Sequence, residues 1–250
     1  MKDQYFGDIN DYRKYGLLRL LASVADTPLT VCWMLTPSDG RNDGSSVSYL
    51  LNPGRWRRFD PVLFDALRGA VHNGQRLGTA TAPRLRIFRH ASFHASILSD
   101  NAPARVRYFD ELTALSRTGG LLFFDPDNGM EVRSVPYGRR NSSKYLYWRE
   151  LERFTASGHS VLIYQHFPRR ERFGFMRHLA GEFIRRLNIR ECLLFQSSRV
   201  VFVLLPRKGT EMVFHGRSRA VAERWRGELR VVLFSAAGEA LREEVIWYPI

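Results

Sequence analysis

The chain has 250 residues, 44% of them hydrophobic, enough apolar material for a packed core and too much for a disordered polymer. Lys and Arg outnumber Asp and Glu by 38 to 25, a net charge of +13 whose field attracts polyanions and makes nucleic acid the expected partner. No apolar run approaches the ~20 residues of a membrane span, and Met1-Lys2-Asp3-Gln4-Tyr5 does not open a secretory leader, so a cytoplasmic protein without a membrane role is expected. Arginine far exceeds lysine, and guanidinium suits bidentate contact with phosphate. Cys32 and Cys192 sit in apolar runs, which argues against a disulfide framework or a cysteine metal knuckle.

In chain order, Asp11 to Val24 carries a helical stripe of apolar residues, with Asp11 as a candidate cap and Asp8 and Asn10 just upstream. Thr30 to Leu35 reads as a buried strand, and the loop Thr36 to Gly44 that follows contains two Asp-Gly pairs. Pro61 to Val71 is a predicted helix capped by Asp60, and Leu85 to Phe88 a short second strand. Ala104 to Leu115 is again helical. Leu121-Leu122-Phe123-Phe124 then reads as a strand buried on both faces, a habit of parallel sheets. Lys144 to Phe154 and Arg172 to Leu187 are predicted helices flanking the strand Ser160 to Tyr164. Glu191 to Phe195 and Val200 to Leu205 form a hairpin, followed by a helix near Arg217 to Arg226 and strand-like Leu229 to Phe234 and Glu244 to Tyr248. This order predicts an α/β fold, doubly wound on a mainly parallel sheet, with an antiparallel C-terminal hairpin. Residues 1–206 would form that domain, and 207–250 a small extension packed on it.

The chemistry is expected where Phe124 gives way to Asp125-Pro126-Asp127-Asn128-Gly129-Met130-Glu131. Ligands of open α/β sheets sit beyond the carboxyl ends of strands, and this break places two carboxylates, an amide and a third carboxylate there. Asp125, Asp127 and Glu131 could hold Mg²⁺ or Mn²⁺, or Asp125 and Asp127 could accept the hydrogens of an amine. Asp39 and Asp43 form a second acidic turn beyond the first strand. His166, one residue past the strand Ser160 to Tyr164, titrates near neutrality and is a candidate base or ligand. His90 and His94, four apart, have the spacing of a helical metal pair. Arg133, Arg139, Arg140, Lys144 and Arg149, interleaved with Tyr137, Tyr145, Tyr147 and Trp148, combine cations for phosphate with rings for bases, with the core face of a helix as the alternative place for Tyr145 and Trp148.

Three segments together resemble one family. Gly7-Asp8-Ile9-Asn10-Asp11-Tyr12-Arg13-Lys14-Tyr15 is similar to the Gly-Asn-x-Ala-Asp-x-x-Lys-His opening of the large-subunit ribosomal RNA adenine-N6 methyltransferases. Phe124-Asp125-Pro126-Asp127-Asn128 falls where that family carries Asp-Pro-Pro-aromatic, and the strand pair around Gln196 to Val201 resembles its closing hairpin. The resemblance spans most of residues 5–206 in order, through short matches. It implies a class I methyltransferase-like fold and S-adenosylmethionine as cofactor, with Asp125 receiving the target amino group; the residues themselves add Asn128 and His166 as candidates to assist it. The resemblance places Lys14, Tyr15, Thr36, Asp39 and Gly40 on the cofactor side. Asp127 and Asn128 replace the second proline and the aromatic, Thr36-Pro37-Ser38-Asp39-Gly40 replaces the glycine-rich loop, and Leu35 and Phe88-Arg89 stand where strand-end acids belong.

The leading expectation is therefore a methyltransferase-like protein acting on nucleic acid through N-methylation of a base. The alternatives are a metal-dependent nuclease or phosphodiesterase, and a nucleic-acid-binding module without catalysis.

Overall fold

Leu121 to Phe124 form a strand with every residue buried, and side chains alternate between two separate cores: Leu121 and Phe123 on one face, Leu122 and Phe124 on the other. That double burial fixes the architecture. The computed structural model describes residues 6–22, 27–37, 46–72, 78–88, 90–116, 119–237 and 240–246. In chain order the elements are α1 (Ile9–Leu21), β1 (Leu29–Cys32), α2 (Pro53–Trp56), α3 (Pro61–His72), α4 (Thr81–Arg84), β2 (Ala91–His94), α5 (Ala102–Leu115) and β3 (Leu121–Phe124). They continue with β4 (Gly129–Met130), β5 (Tyr145–Leu146), α6 (Trp148–Ala156), β6 (Ser160–His166), α7 (Arg172–Leu187), β7 (Glu191–Gln196), β8 (Val200–Leu205), α8 (Glu211–Arg224), β9 (Arg230–Ala237) and β10 (Ala240–Ile246).

Eight strands make one sheet in the order β10-β9-β7-β8-β6-β3-β1-β2, and β4 pairs with β5 beside it. The pairings among β2, β1, β3 and β6 are parallel. Those of β6 with β8, β8 with β7, β7 with β9 and β9 with β10 are antiparallel. The sheet is thus half parallel, not mainly so. The β7–β8 hairpin lies in its interior, because β8 inserts between β6 and β7 while the C-terminal segment adds β9 and β10 outside.

Helices cover both faces. Tyr12 and Leu17 of α1, Leu63 and Phe64 of α3 and Phe214 of α8 pack with Val31, Phe123 and Leu162 in one core. Phe109 of α5, Leu151 of α6 and Phe183 of α7 pack with Phe124, Ile163 and Val203 in the other. Two such layers remove most apolar surface from water, at roughly 25 cal/mol per Å². At the C-terminal end, Trp225 is fully buried and lies so close to α1 that a Cβ on Gly16 would fall 2.0 Å from its ring. Residues 207–250, where described, are therefore built into the same sheet and core.

Three predicted elements differ. Leu85 to Phe88 is not a strand: α4 ends there in a turn, Arg86 has a φ of 48°, and the second strand is β2. His90 and His94 share no helix, since His94 is the last residue of β2. Lys144 ends a short 3-10 turn, Ser142–Lys144, and Tyr145 and Leu146 form β5; α6 begins only at Trp148. Among the described residues no helix is long and apolar enough to cross a membrane.

Candidate functional site

The cap of α1 is Asp8, whose carboxylate accepts the backbone N–H groups of Asn10 and Asp11, both at 2.8 Å. Asp11, no longer needed as a cap, turns inward and accepts from the Gly7 amide at 2.9 Å and the Tyr15 hydroxyl at 3.3 Å. One turn on, Lys14 points to the sheet. Its ammonium lies 2.6 Å from Asp11 and 2.7 Å from Oδ2 of Asp125, at the end of β3. The rings of Tyr15, Trp33 and Tyr164 surround this nitrogen at 5.4, 5.5 and 5.9 Å.

Burial and charge oppose each other here. Burial alone would lower the Lys14 pKa, but Asp11 and Asp125 outweigh it and hold the ammonium charged. Burial raises the Asp125 pKa, and Lys14 offsets only part of that rise. Burial and the neighbouring Asp11 push Asp8 up to about 7. Three carboxylates thus share one ammonium in a water-poor setting, the arrangement that perturbs carboxylates at working sites.

Asp127 leaves this cluster and accepts the Thr36 hydroxyl at 2.7 Å, tying the loop after β3 to the segment after β1. Asn128 is held by its backbone: its N–H donates to the Lys144 carbonyl, and its carbonyl accepts from His166 N–H and from Gln165 Nε2. Gln165 also accepts the Met130 amide at 2.8 Å and donates to the His166 carbonyl at 2.7 Å. His166, the last residue of β6, shares a 3.0 Å hydrogen bond with the Tyr164 hydroxyl. Desolvation lowers its pKa, against the opposing pull of Asp127.

Beyond Asn128 and His166 a cleft of about 960 Å³ opens between the β4–β5 segment and α7. The segment is braced from beneath. Arg105, fully buried, makes a bidentate pair with Glu150, at 2.8 Å for both bonds, and donates to the Ser142 and Tyr145 carbonyls. Asp100 accepts the Asn141 and Ser143 amides at 2.8 and 2.7 Å.

The structure brings Asp125 and Lys14 together and places Asp127 and Thr36 in contact. Asn128, Glu131, Arg133 and His166 line the cleft. Arg139 and Arg140 are exposed on the turn leading to Ser142, and neither they nor Lys144 lines it. Asp39, Gly40 and Asp43 lie outside the described residues. The proposed metal set is not assembled: among the described residues no group of three His, Cys, Asp or Glu side chains is placed to hold a metal ion. Asp125 faces Lys14, Asp127 faces Thr36, and Glu131 accepts from the Trp148 amide near Arg186.

S-adenosylmethionine brings a sulfonium, a ribose and an adenine. In charge, the Asp8–Asp11–Asp125 cluster suits the sulfonium. Tyr15 is fully buried against Phe6, Trp33 and Phe88, which removes it from the cofactor side. No described carboxylate at the ends of β1 or β2 stands ready for ribose hydroxyls: Leu35 bridges to Ile97, and β2 ends in the buried His94. Tyr164, Gln165 and the arginines of α7 escaped sequence reading as site residues; the basic outer face of α7 was the signal available.

No protein-family model matches the chain, and no curated protein does. Among solved structures it is similar to a Legionella pneumophila protein described under the family model DUF519. The TM-score is 0.45 at 13% identity, over 93% of this chain and 98% of that one. At that level the likeness assigns no residue a role.

Proposed function

We propose that this chain is a methyltransferase-like α/β protein acting on nucleic acid, with Asp125 as the group that receives a base amino nitrogen. One observation carries the reading: a fully buried carboxylate at the end of β3, central in the parallel half, already binds a nitrogen cation at 2.7 Å. A carboxylate has two oxygens and four acceptor positions, so a second N–H donor can share it with Lys14. Accepting that hydrogen raises electron density on the nitrogen and prepares it for transfer of a group. Asn128 offers an amide at the mouth of the adjoining cleft, and His166 a ring nitrogen held by Tyr164. S-adenosylmethionine would supply the methyl group. The strand order supports the reading too, since the run β2-β1-β3-β6 followed by the β8–β7 hairpin keeps the β-α units and hairpin that the resemblance implies, with β9 and β10 added outside.

Calorimetric titration with S-adenosylmethionine tests it. Saturable heat is expected; none at millimolar ligand removes the methyltransferase claim. A second reading, binding without turnover, is favoured by the engagement of Asp125 and Asp127 with Lys14 and Thr36. It predicts salt-sensitive nucleic-acid binding that Asp125→Ala leaves untouched.

A further inference from the structure

We propose that the cleft between the β4–β5 segment and α7 holds a single-stranded segment of nucleic acid, with Arg133 and Arg170 on its phosphates and Tyr145 beneath a base. The inference rests on the proposed nucleic-acid partner and adds where and in what form that partner lies. At about 960 Å³ the cleft is at the upper end of small-ligand pockets and has room for a short run of nucleotides.

Its charges are divided. Glu182 of α7 is engaged by Arg185 and, at 2.9 Å, by Arg186, so both guanidiniums on that side of the wall already hold a carboxylate. Arg133 and Arg170, both exposed and both lining the cleft, make no ion pair with any described residue. In a chain of net charge +13, two such guanidiniums facing one cleft fit phosphate in bidentate fashion.

The rings are divided in the same way. Trp148 carries the Arg186 guanidinium 4.8 Å over its ring, and Tyr137 carries that of Arg149 at 4.7 Å. Tyr145 is half-buried in the cleft wall, and no described ring or guanidinium packs on it. A base stacked there must be unpaired, because a duplex hides its base faces. Asn128 lines the same cleft with its backbone fixed by Lys144 and His166, while its side-chain amide makes no hydrogen bond to a described residue. An amide pairs a donor with an acceptor and so matches the edge of an adenine. The strand would thus pass from the cleft toward Asp125 by way of Asn128 and His166.

The test is fluorescence anisotropy with a labelled single-stranded 12-nucleotide RNA and the same strand in duplex, over a salt series. Arg133→Gln with Arg170→Gln should weaken single-strand binding about tenfold and flatten the log–log salt slope by about 1.4, two phosphates at ~0.7 each. Tyr145→Ala should weaken it about 5- to 150-fold with the slope unchanged, the effect of one lost stacking partner. Arg139→Gln with Arg140→Gln, outside the cleft, should change affinity less than about twofold, as should fall to arginines that touch no phosphate. Circular dichroism melts establish that each variant is folded. Equal loss from the Arg139/Arg140 pair, equal affinity for duplex, or an unaffected Tyr145→Ala would each overturn the proposal. Single-strand binding without any S-adenosylmethionine heat would leave it standing and remove the methyltransferase reading alone.

Discussion

The ammonium of Lys14 and the carboxylate of Asp125 meet at 2.7 Å across 111 residues of sequence, both nearly sealed from water. Each compensates a charge that the interior would otherwise reject. Replacing Lys14 by Met leaves Asp11 and Asp125 facing each other without a counter-charge, and breaking a buried pair in this way costs about 3–5 kcal/mol. Denaturant unfolding should show that loss for Lys14→Met, and a markedly smaller one for Asp125→Asn, which keeps a polar partner and removes a charge that burial disfavours. Equal stability of Lys14→Met and wild type would contradict the electrostatic account of the cluster.

Asp8 gives the cluster a pH dependence of known sign. Its folded pKa of about 7 lies above the ordinary 3.8, so between about pH 4 and pH 7 the folded chain keeps a proton that the unfolded chain has released. Stability from this group is complete below pH 4 and is lost as pH rises through 7, at up to ~1.4 kcal/mol per unit. Asp8→Asn retains the cap on α1 but does not titrate. Melting both proteins from pH 4.5 to about 8 should show wild type losing stability relative to the variant; parallel profiles would refute the shift.

Gly129 has a φ of 120°, and a Cβ there would lie 2.2 Å from Oε1 of Gln165. Gln165 cannot yield cheaply, because it binds Met130, Asn128 and His166 at once. Gly129→Ala is expected to cost about 3 kcal/mol, from overpacking and a lost buried hydrogen bond. RNA affinity should fall with it, since this floor positions Asn128 and His166.

Arg105 braces the cleft from below by four hydrogen bonds to Glu150, Ser142 and Tyr145. Lysine keeps the charge but not the planar fork. Arg105→Lys should therefore destabilise the protein by about 3 kcal/mol, the scale of lost charged hydrogen bonds. Hydrogen exchange should speed up in residues 133–147 first. Unchanged exchange there would mean that the pair does not hold the segment.

What could be read from the sequence followed the density of the local signal. Four consecutive apolar residues before Asp125 mark the central strand. The hairpin and α7 were equally plain, because strong periodic runs compete with few alternatives. The second strand was misplaced because Leu85 to Phe88 looks more apolar than Ala91 to His94. The former packs on the core as a turn, whereas the latter is a half-buried edge strand. The pairings Lys14–Asp125 and Arg105–Glu150 join distant segments and leave no local pattern. The basic run after Asp125 draws attention to Arg139 and Arg140, but the cleft is lined by Arg133 from the loop and Arg170 from the approach to α7. Only the fold brings those two together.

The central claim, that Asp125 receives a base amine for methyl transfer, is tested most directly by transfer of tritium from methyl-labelled S-adenosylmethionine to unmodified, in-vitro-transcribed ribosomal RNA. Label is expected in the RNA with wild type, and a fall of about 10²- to 10⁴-fold with Asp125→Asn, the range for losing a general-base partner. Label that persists unchanged in Asp125→Asn, or no label from protein that binds both cofactor and RNA, would contradict it.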